Sequence, residues 1–491
     1  MSTTERSSDG REARLEKQLV IALIIGLGAL VLAGFLIYSP RATFDSQSAL
    51  NWSRDIWEGN LPNFGSYRAP TQHPLMLALG LLFQPAGDYG PQLMVLWSLI
   101  GYVALLIAAF RFGVLISGIF GGIVALGLLA TRLDVAWLAG VGFLDPPYAA
   151  LILWAAFLEA RSPRRGGIVW VLLTMAGLLR PEAWLLTGMY MLWVGYPLEW
   201  SGRLRVLCYA AIGPLIWFSI DFAVTGNPLY SMTTTSRNAG DLGRSRPLAT
   251  LPYYTLYWTN SVLKLPLSTI AGLGVVLAVQ QRRRQLIIPA VLVAATWFSY
   301  LVIASGGLAN VWRYILVAAI GLILFATYAL TGWSLVDRGS RLRKWWAGGA
   351  LLCVLVGVGW TATHLNVSKI DSDIKQRRQV SDNFRSIMVQ PAVLRARKCG
   401  PVSVPSQKLL PEAKWAFRLE PPQIIPRSDT SFPVQKEGVA IVINPSYESR
   451  PDININEYAV DLSWVRLQIP PPGFKLIASN EFFLAYGRCA P

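Results

Sequence analysis

The chain has 491 residues, 53% of them hydrophobic and 15% charged, with a mean hydropathy of +0.42 and a formal net charge of +16. Soluble proteins carry about 25% charged residues, so a large soluble enzyme is excluded and the long apolar runs identify a membrane protein. The Lys and Arg excess lies mainly in short loops between those runs, where it sets topology, and this excludes a nucleic-acid-binding protein.

Residues 1–18 are polar and include Arg6, Arg11, Arg14 and Lys17, which marks a cytoplasmic tail. The apolar run 19–38 is too long for the core of a cleavable signal, and no small-x-small site follows it. It is the first predicted span. Further spans are predicted over 91–111, 113–131, 146–160, 167–180, 183–198, 205–222, 262–280, 286–303, 314–332 and 347–363, about eleven in all. With the N-terminus inside, Arg161, Arg164 and Arg165, then Arg203 and Arg205, then Arg282, Arg283 and Arg284, then Arg338, Arg341, Arg343 and Lys344 all fall on one side. That agreement with the positive-inside bias predicts a multi-pass protein of the plasma (inner) membrane, with the lipid bilayer as its surroundings and the C-terminus extracytoplasmic.

The outer segments are then 39–90, 132–145, 181–182, 223–261, 304–313 and 364–491. In the first outer loop, 39–90, Leu50, Ser53, Ile56 and Trp57 fall near helical spacing between Ser46 and Glu58. This predicts a short helix lying in the membrane interface. Residues 74–83 are apolar but too short to span. Arg237, Arg244 and Arg246 lie in SRNAGDLGRSR, which reads as a solvated loop, with a substrate-ordered lid as the functional alternative.

The tail is polar and proline-rich (PPQIIP, IPPPGF), with strand-like runs in GPVSV, GVAIVI, FKLIA and EFFLAY and a short helix in PEAKWAFRLE. It predicts a mixed α/β domain of roughly 120 residues. Of the four cysteines, Cys208 and Cys353 lie in apolar segments, whereas Cys399 and Cys489 bracket this tail. In an oxidising compartment the latter two are expected to form a disulfide. The expected organisation is a cytoplasmic tail at 1–18, an all-α polytopic membrane domain at 19–363 and an extracytoplasmic α/β domain at 364–491.

The outer face carries Asp45, Arg54, Asp55, Arg68, Asp145, Arg180, Glu182, Arg237, Arg244, Arg246 and Arg313. Charges near the bilayer are costly and need a reason. A carboxylate at the lipid boundary can take a proton from a hydroxyl, and arginines can hold a phosphate through paired hydrogen bonds. A sugar carried on a lipid phosphate fits that chemistry, with the phosphate as leaving group.

Four motifs carry a family resemblance. FDSQSALNWSRDIWEGNLP follows the first span, GLLRPEAW joins the fifth and sixth, TGNPLYS follows the seventh, and ANVWRYILVA enters the tenth. In this order, and on one side of the membrane, they resemble a GT-C class glycosyltransferase, the polytopic enzymes that use polyprenyl-phosphate sugars. The resemblance covers about residues 15–335 and leaves the tail unmatched. APTQHPL is similar to actinobacterial members of the class. One departure is a single Asp45, followed by Ser46, where many members carry adjacent acidic residues.

The resemblance implies an inverting hexosyl- or pentosyltransferase acting in cell-envelope (cell wall) biosynthesis. It would move sugar from a polyprenyl-phosphate donor to an extracytoplasmic glycan, lipid or protein. Asp45 would be the catalytic base, although an Asp there also suits a helix N-cap. Arg313, with Tyr314, would bind the lipid phosphate; Arg313 as a snorkelling interfacial anchor is the plain alternative. Arg180 and Glu182 suit either the phosphate or sugar site or a structural ion pair at the Pro turn. Asp145 is a second candidate carboxylate or a helix start, and His73, Arg54 and Asn227 complete the substrate-binding candidates. No cofactor is required by this chemistry. A divalent metal stays open, with Asp145 as its candidate ligand. Two other classes compete with this one. A transporter or flippase for a lipid-linked or anionic solute is disfavoured by the lack of repeats and by ionisable groups at one face. An envelope scaffold leaves the outer Asp and Arg set unexplained.

Overall fold

The computed structural model describes residues 3–445 and 469–489, with side chains from residue 14 onward. The chain packs as two units, one of residues 1–37, 73–75 and 96–366 and one of 38–72, 76–95 and 367–491.

In chain order, the helices that build the first unit are α1 (Thr3–Tyr38), and, after α2 (Phe44–Trp57) and α3 (Pro74–Phe83), α4 (Gly90–Ala130), α5 (Leu133–Gly140), α6 (Asp145–Arg161), α7 (Ile168–Leu179) and α8 (Ala183–Gly195). They continue with α9 (Trp200–Thr225), α10 (Tyr230–Asp241), α11 (Leu251–Leu263), α12 (Leu265–Gln280), α13 (Ile287–Ser305), α14 (Leu316–Thr331) and α15 (Arg341–His364). The most enclosed is α14, buried at every position except Leu322 and packed against α12 and α13. Gly274 of α12 makes that approach: a Cβ there would sit 2.0 Å from the Phe325 carbonyl oxygen.

Helix α4 is broken at Ser117 and Gly118, where Gly118 has φ 71°. Residues eight apart in a straight helix are about 12 Å apart, yet a Cβ on Gly113 would lie 2.4 Å from the Gly121 carbonyl oxygen. The two arms therefore fold back on each other, and the break predicted near residue 112 falls five residues later. The Ser117 hydroxyl, freed at the break, pairs with the Thr331 hydroxyl at 2.6 Å.

The protein is a multi-pass membrane protein. Among the described residues six helical stretches are long and apolar enough to cross a membrane, and up to eight if each of two bent pairs is one span. The expected count of about eleven is not reached on that measure. Two of the predicted spans, 167–180 and 183–198, correspond to α7 and α8, which have 12 and 13 residues where about 20 are needed for a perpendicular crossing. The segment expected to be loop at 223–261 contains α10 and most of α11, a local difference traced to the sparse apolar spacing of Tyr230–Asp241.

The second unit contains α2, most of α3, and the tail: α16 (Val367–Met388), α17 (Pro391–Ala396), α18 (Leu410–Phe417) and five strands, β1 (Val402–Val404), β2 (Ile424–Pro426), β3 (Gly438–Ile443), β4 (Lys475–Ser479) and β5 (Phe483–Arg488). The sheet order is β2-β1-β3-β5-β4. Strand β1 runs parallel to β2 and β3, whereas β5 is antiparallel to both β3 and β4. Its core sets Val402, Val404, Ile424, Val439, Ile441 and Ile443 against Phe384, Ile387 and Met388 of α16. The helix α16 has apolar residues at 380, 384, 387 and 388, the i, i+4, i+7, i+8 stripe of a packed helix. Cys399 and Cys489 form a disulfide with Cα atoms 5.4 Å apart, and Cys208 and Cys353 are free.

The predicted interfacial helix is present as α2, but its packing differs from an amphipath lying on lipid. Residues Ser46–Asp55 are buried, polar ones included. Gln47 donates to Glu412 at 2.5 Å, Asn51 to the Pro411 carbonyl at 2.8 Å, and Lys414 to Asp55 at 2.7 Å. Polar pairing with α18 buries this face.

Candidate functional site

Within the first unit, three chain breaks bring charged side chains to one place. Asp145 starts α6 after a 117° bend from α5, with Pro146 and Pro147 filling positions that need no N–H donor. Arg180 ends α7 in the Arg-Pro-Glu turn before α8. Arg313 lies in the short 3-10 turn Trp312–Ile315 that leads into α14. Helix ends put these side chains at the edges of apolar segments, where charge is least costly.

Asp145 is the hub and is 1% exposed. Its Oδ1 accepts from Arg180 Nη2 at 2.5 Å, and its Oδ2 accepts from Arg313 Nη1 at 3.3 Å. Arg180 Nη1 also donates to Glu182 at 3.2 Å. The Arg180 guanidinium lies over the rings of Tyr148 (5.7 Å) and Tyr314 (4.8 Å), and that of Arg313 over Phe143 (4.3 Å). The Arg180 side chain is nearly enclosed, whereas that of Arg313 is 22% exposed and so remains reachable. Two guanidiniums and two carboxylates balance in formal charge, and Asp145 holds both arginines in place through charge-assisted bonds.

His73 reaches the same region from the loop before α3. Its ring stands edge-on to Trp217 at 5.8 Å, and its Nδ1 has no hydrogen-bond partner among the described residues. Burial, then the positive charge of Arg180, pushes its pKa down to about 3, against a backbone hydrogen bond at Leu179. The imidazole is neutral at pH 7 and can accept a hydrogen bond from a ligand hydroxyl.

The structure thus gathers Asp145, Arg180, Glu182, Arg313, Tyr314 and His73, with Tyr148 and Trp217 added. Tyr148 stands three residues after Asp145, so helical spacing on α6 was the signal that could have found it. Trp217 had none, because its contact with His73 spans 144 residues of sequence.

Of the other candidates, Asp45 and Arg54 belong to the second unit and Asn227 to the first. Asp45 is in the first turn of α2 in the second unit, and the N-cap there is Thr43, whose hydroxyl accepts from the Ser46 amide at 3.4 Å. The capping role open to Asp45 in the sequence therefore belongs to Thr43. Arg54 is also in the second unit. Its guanidinium donates to the carbonyls of Trp415 at 3.1 Å and Lys414 at 2.7 Å and to Asn51 at 3.2 Å, and lies over the Trp415 ring at 4.7 Å. Burial lowers its pKa. These contacts tie α2 to α18. Asn227 is exposed and forms a turn: its Oδ1 accepts from the Leu229 amide at 3.0 Å, just after Gly226 (φ 71°) ends α9. For the metal expectation, both Asp145 oxygens are engaged by guanidiniums, and no group of three or more His, Cys, Asp or Glu side chains able to hold a metal ion occurs among the described residues.

The fold is similar to that of solved structures of ArnT from Cupriavidus metallidurans. With the structure of ArnT bound to undecaprenyl phosphate, the TM-score is 0.54 at 12% identity, covering 94% of this chain and 97% of that one. With apo ArnT it is 0.54 at 13% identity, covering 95% and 98%. The architecture is therefore an ArnT-like fold. No protein-family model and no curated protein sequence matches the chain.

Proposed function

We propose that this protein is an inverting glycosyltransferase that moves a sugar from a polyprenyl phosphate to an extracytoplasmic glycan, lipid or protein acceptor. The observation that carries the reading is the pair of guanidiniums held on one buried carboxylate at the helix ends, with Arg313 still reachable. The likeness to ArnT, one of whose structures holds undecaprenyl phosphate, supports a lipid phosphate as the anion.

The phosphate oxygens take hydrogen bonds from Arg313 and Arg180, and their growing charge is stabilised as the bond from the anomeric carbon to the phosphate oxygen breaks. The acceptor oxygen forms the new bond to that carbon from the opposite side, which inverts its configuration. Its proton passes to a carboxylate, the role assigned to Asp45. Polyprenyl phosphate is released. This route asks for no metal. The reading also places the N-terminus in the cytoplasm and the C-terminal domain outside the inner membrane. The Cys399–Cys489 disulfide supports that side, since such bonds persist in oxidising compartments.

The test uses the full chain in detergent or proteoliposomes, with undecaprenyl phosphate as binding probe and membrane-extracted lipid-linked sugars as donors. Wild type binds the probe, Arg313→Gln weakens binding, and Asp45→Asn abolishes transfer while leaving the thermal unfolding temperature unchanged. Absence of binding by wild type overturns the phosphate site. Full turnover by Asp45→Asn removes the assigned base, and appearance of chemically unchanged substrate on the far side of the vesicle replaces transfer with transport.

A further inference from the structure

Asn310 lies three residues before Arg313 and is 7% exposed. Its backbone N–H donates to the Arg244 carbonyl at 2.9 Å. Its Oδ1 accepts twice, from Trp258 Nε1 at 2.5 Å and from the Tyr300 hydroxyl at 2.7 Å. An indole N–H can only donate, so the amide orientation is set: turning it over would place N–H against N–H. The Nδ2 group, with its two donor hydrogens, is buried and has no partner among the described residues. Native structures rarely leave such a donor unmet.

The surroundings say what would meet it. Trp258, Tyr300 and Tyr314 belong to one packed cluster, and Arg180 lies over Tyr314 at its edge. Tyr254 stacks on Trp258 with ring centres 6.3 Å apart, and the Arg246 guanidinium lies 5.7 Å from Tyr254. The rings offer no strong acceptor, the guanidiniums of Arg180 and Arg246 border the cluster, and the Asp145 and Glu182 carboxylates near Tyr314 are already paired with Arg180 and Arg313. An oxyanion suits that setting, and a buried second donor would complement the arginines.

We infer that Asn310 is a further binding residue for the anionic headgroup, its Nδ2 donating to a phosphate oxygen of the polyprenyl phosphate and its orientation locked by Trp258 and Tyr300. The inference rests on the lipid-phosphate reading above and adds to it a neutral, orientation-locked donor.

The experiment measures binding of undecaprenyl phosphate to the full chain in detergent, with neutral undecaprenol as the control ligand. Asn310→Asp keeps both accepted bonds and replaces the donor group with an acceptor. It is expected to weaken undecaprenyl phosphate binding by about tenfold or more and to leave undecaprenol binding unchanged. Trp258→Phe keeps Asn310 but frees its amide to turn, and should give a smaller loss in the same direction. If Arg313→Gln loses binding while Asn310→Asp and Trp258→Phe retain wild-type affinity, the Asn310 inference falls and the lipid-phosphate reading stands. Equal losses for undecaprenol and undecaprenyl phosphate also overturn it, because they mark a structural defect. Should Asn310→Asp fail to fold, Trp258→Phe decides alone, with unchanged affinity counting against the inference. Failure of wild type to bind undecaprenyl phosphate overturns both.

Discussion

Replacing Asp145 tests the centre of the site most directly. In the wild type each carboxylate oxygen engages one arginine, Arg180 at 2.5 Å and Arg313 at 3.3 Å, and Asp145 is 1% exposed. Removing one partner of a buried pair costs about 3–5 kcal/mol, because the remaining charge keeps its desolvation penalty. Arg180 retains Glu182, and Arg313 is 22% exposed and can turn toward water, so Asp145→Ala is expected at the low end of that range. Asp145→Asn leaves an amide oxygen able to accept from one guanidinium, and the expected loss is about 1.5–3 kcal/mol. Thermal unfolding of the purified chain in detergent, with and without undecaprenyl phosphate, reads both effects. The variants should unfold at lower temperature than wild type, and the added lipid should restore more of the difference in Asp145→Ala, where phosphate takes over the role of the missing carboxylate. A stability loss under about 1 kcal/mol would falsify the pairing, since breaking a buried ion pair exceeds that. An identical lipid-induced shift in wild type and variant would show that phosphate does not engage these arginines.

Three further outcomes are expected. Arg54→Lys should destabilise the chain almost as much as Arg54→Ala, by roughly 2–4 kcal/mol, because a compact ammonium lacks the planar fork that reaches two carbonyls and Asn51. Undecaprenyl phosphate affinity should stay at the wild-type level in the folded Arg54→Lys protein, and a selective loss of affinity would return Arg54 to the ligand site. Cys399→Ser should lower stability by roughly 4–5 kcal/mol by chain-entropy arithmetic, given the sequence separation of 90; melting of oxidised wild type and variant that coincides would contradict this. His73 provides a pH test. Its folded pKa lies below the ordinary value of 6.5, so below about pH 6.5 the unfolded chain binds a proton that the folded chain does not. Stability should fall on acidification by up to about 1.4 kcal/mol per pH unit from this group. His73→Gln should flatten the slope between pH 6.5 and 4.5, and parallel wild-type and variant curves would refute the assignment.

Much of the membrane character was legible in local composition. Hydropathy is a property of contiguous residues, so the apolar segments could be marked with no knowledge of what packs on them. The strand runs GVAIVI and EFFLAY were visible for the same reason, and β3 and β5 occupy them. Strand β2 was hidden inside PPQIIP because prolines flank its short apolar core. Helix α16 is not legible in the sequence because its mean polarity masks its apolar stripe.

The candidate site divides along the same line. The sequence by itself determined that Asp145, Arg180 and Arg313 occupy the borders of apolar segments, since charge is tolerated there and not at their centres. Only the tertiary structure decided which of them meet. Asp145 and Arg313 are 168 residues apart in the chain and share a hydrogen bond, while Arg54 finds its partners 360 and 361 residues away on α18. Such pairings depend on how helices pack, and no periodicity within a single segment encodes the partner. The orientation of the Asn310 amide is of the same kind, set by an indole and a phenol brought in from α11 and α13.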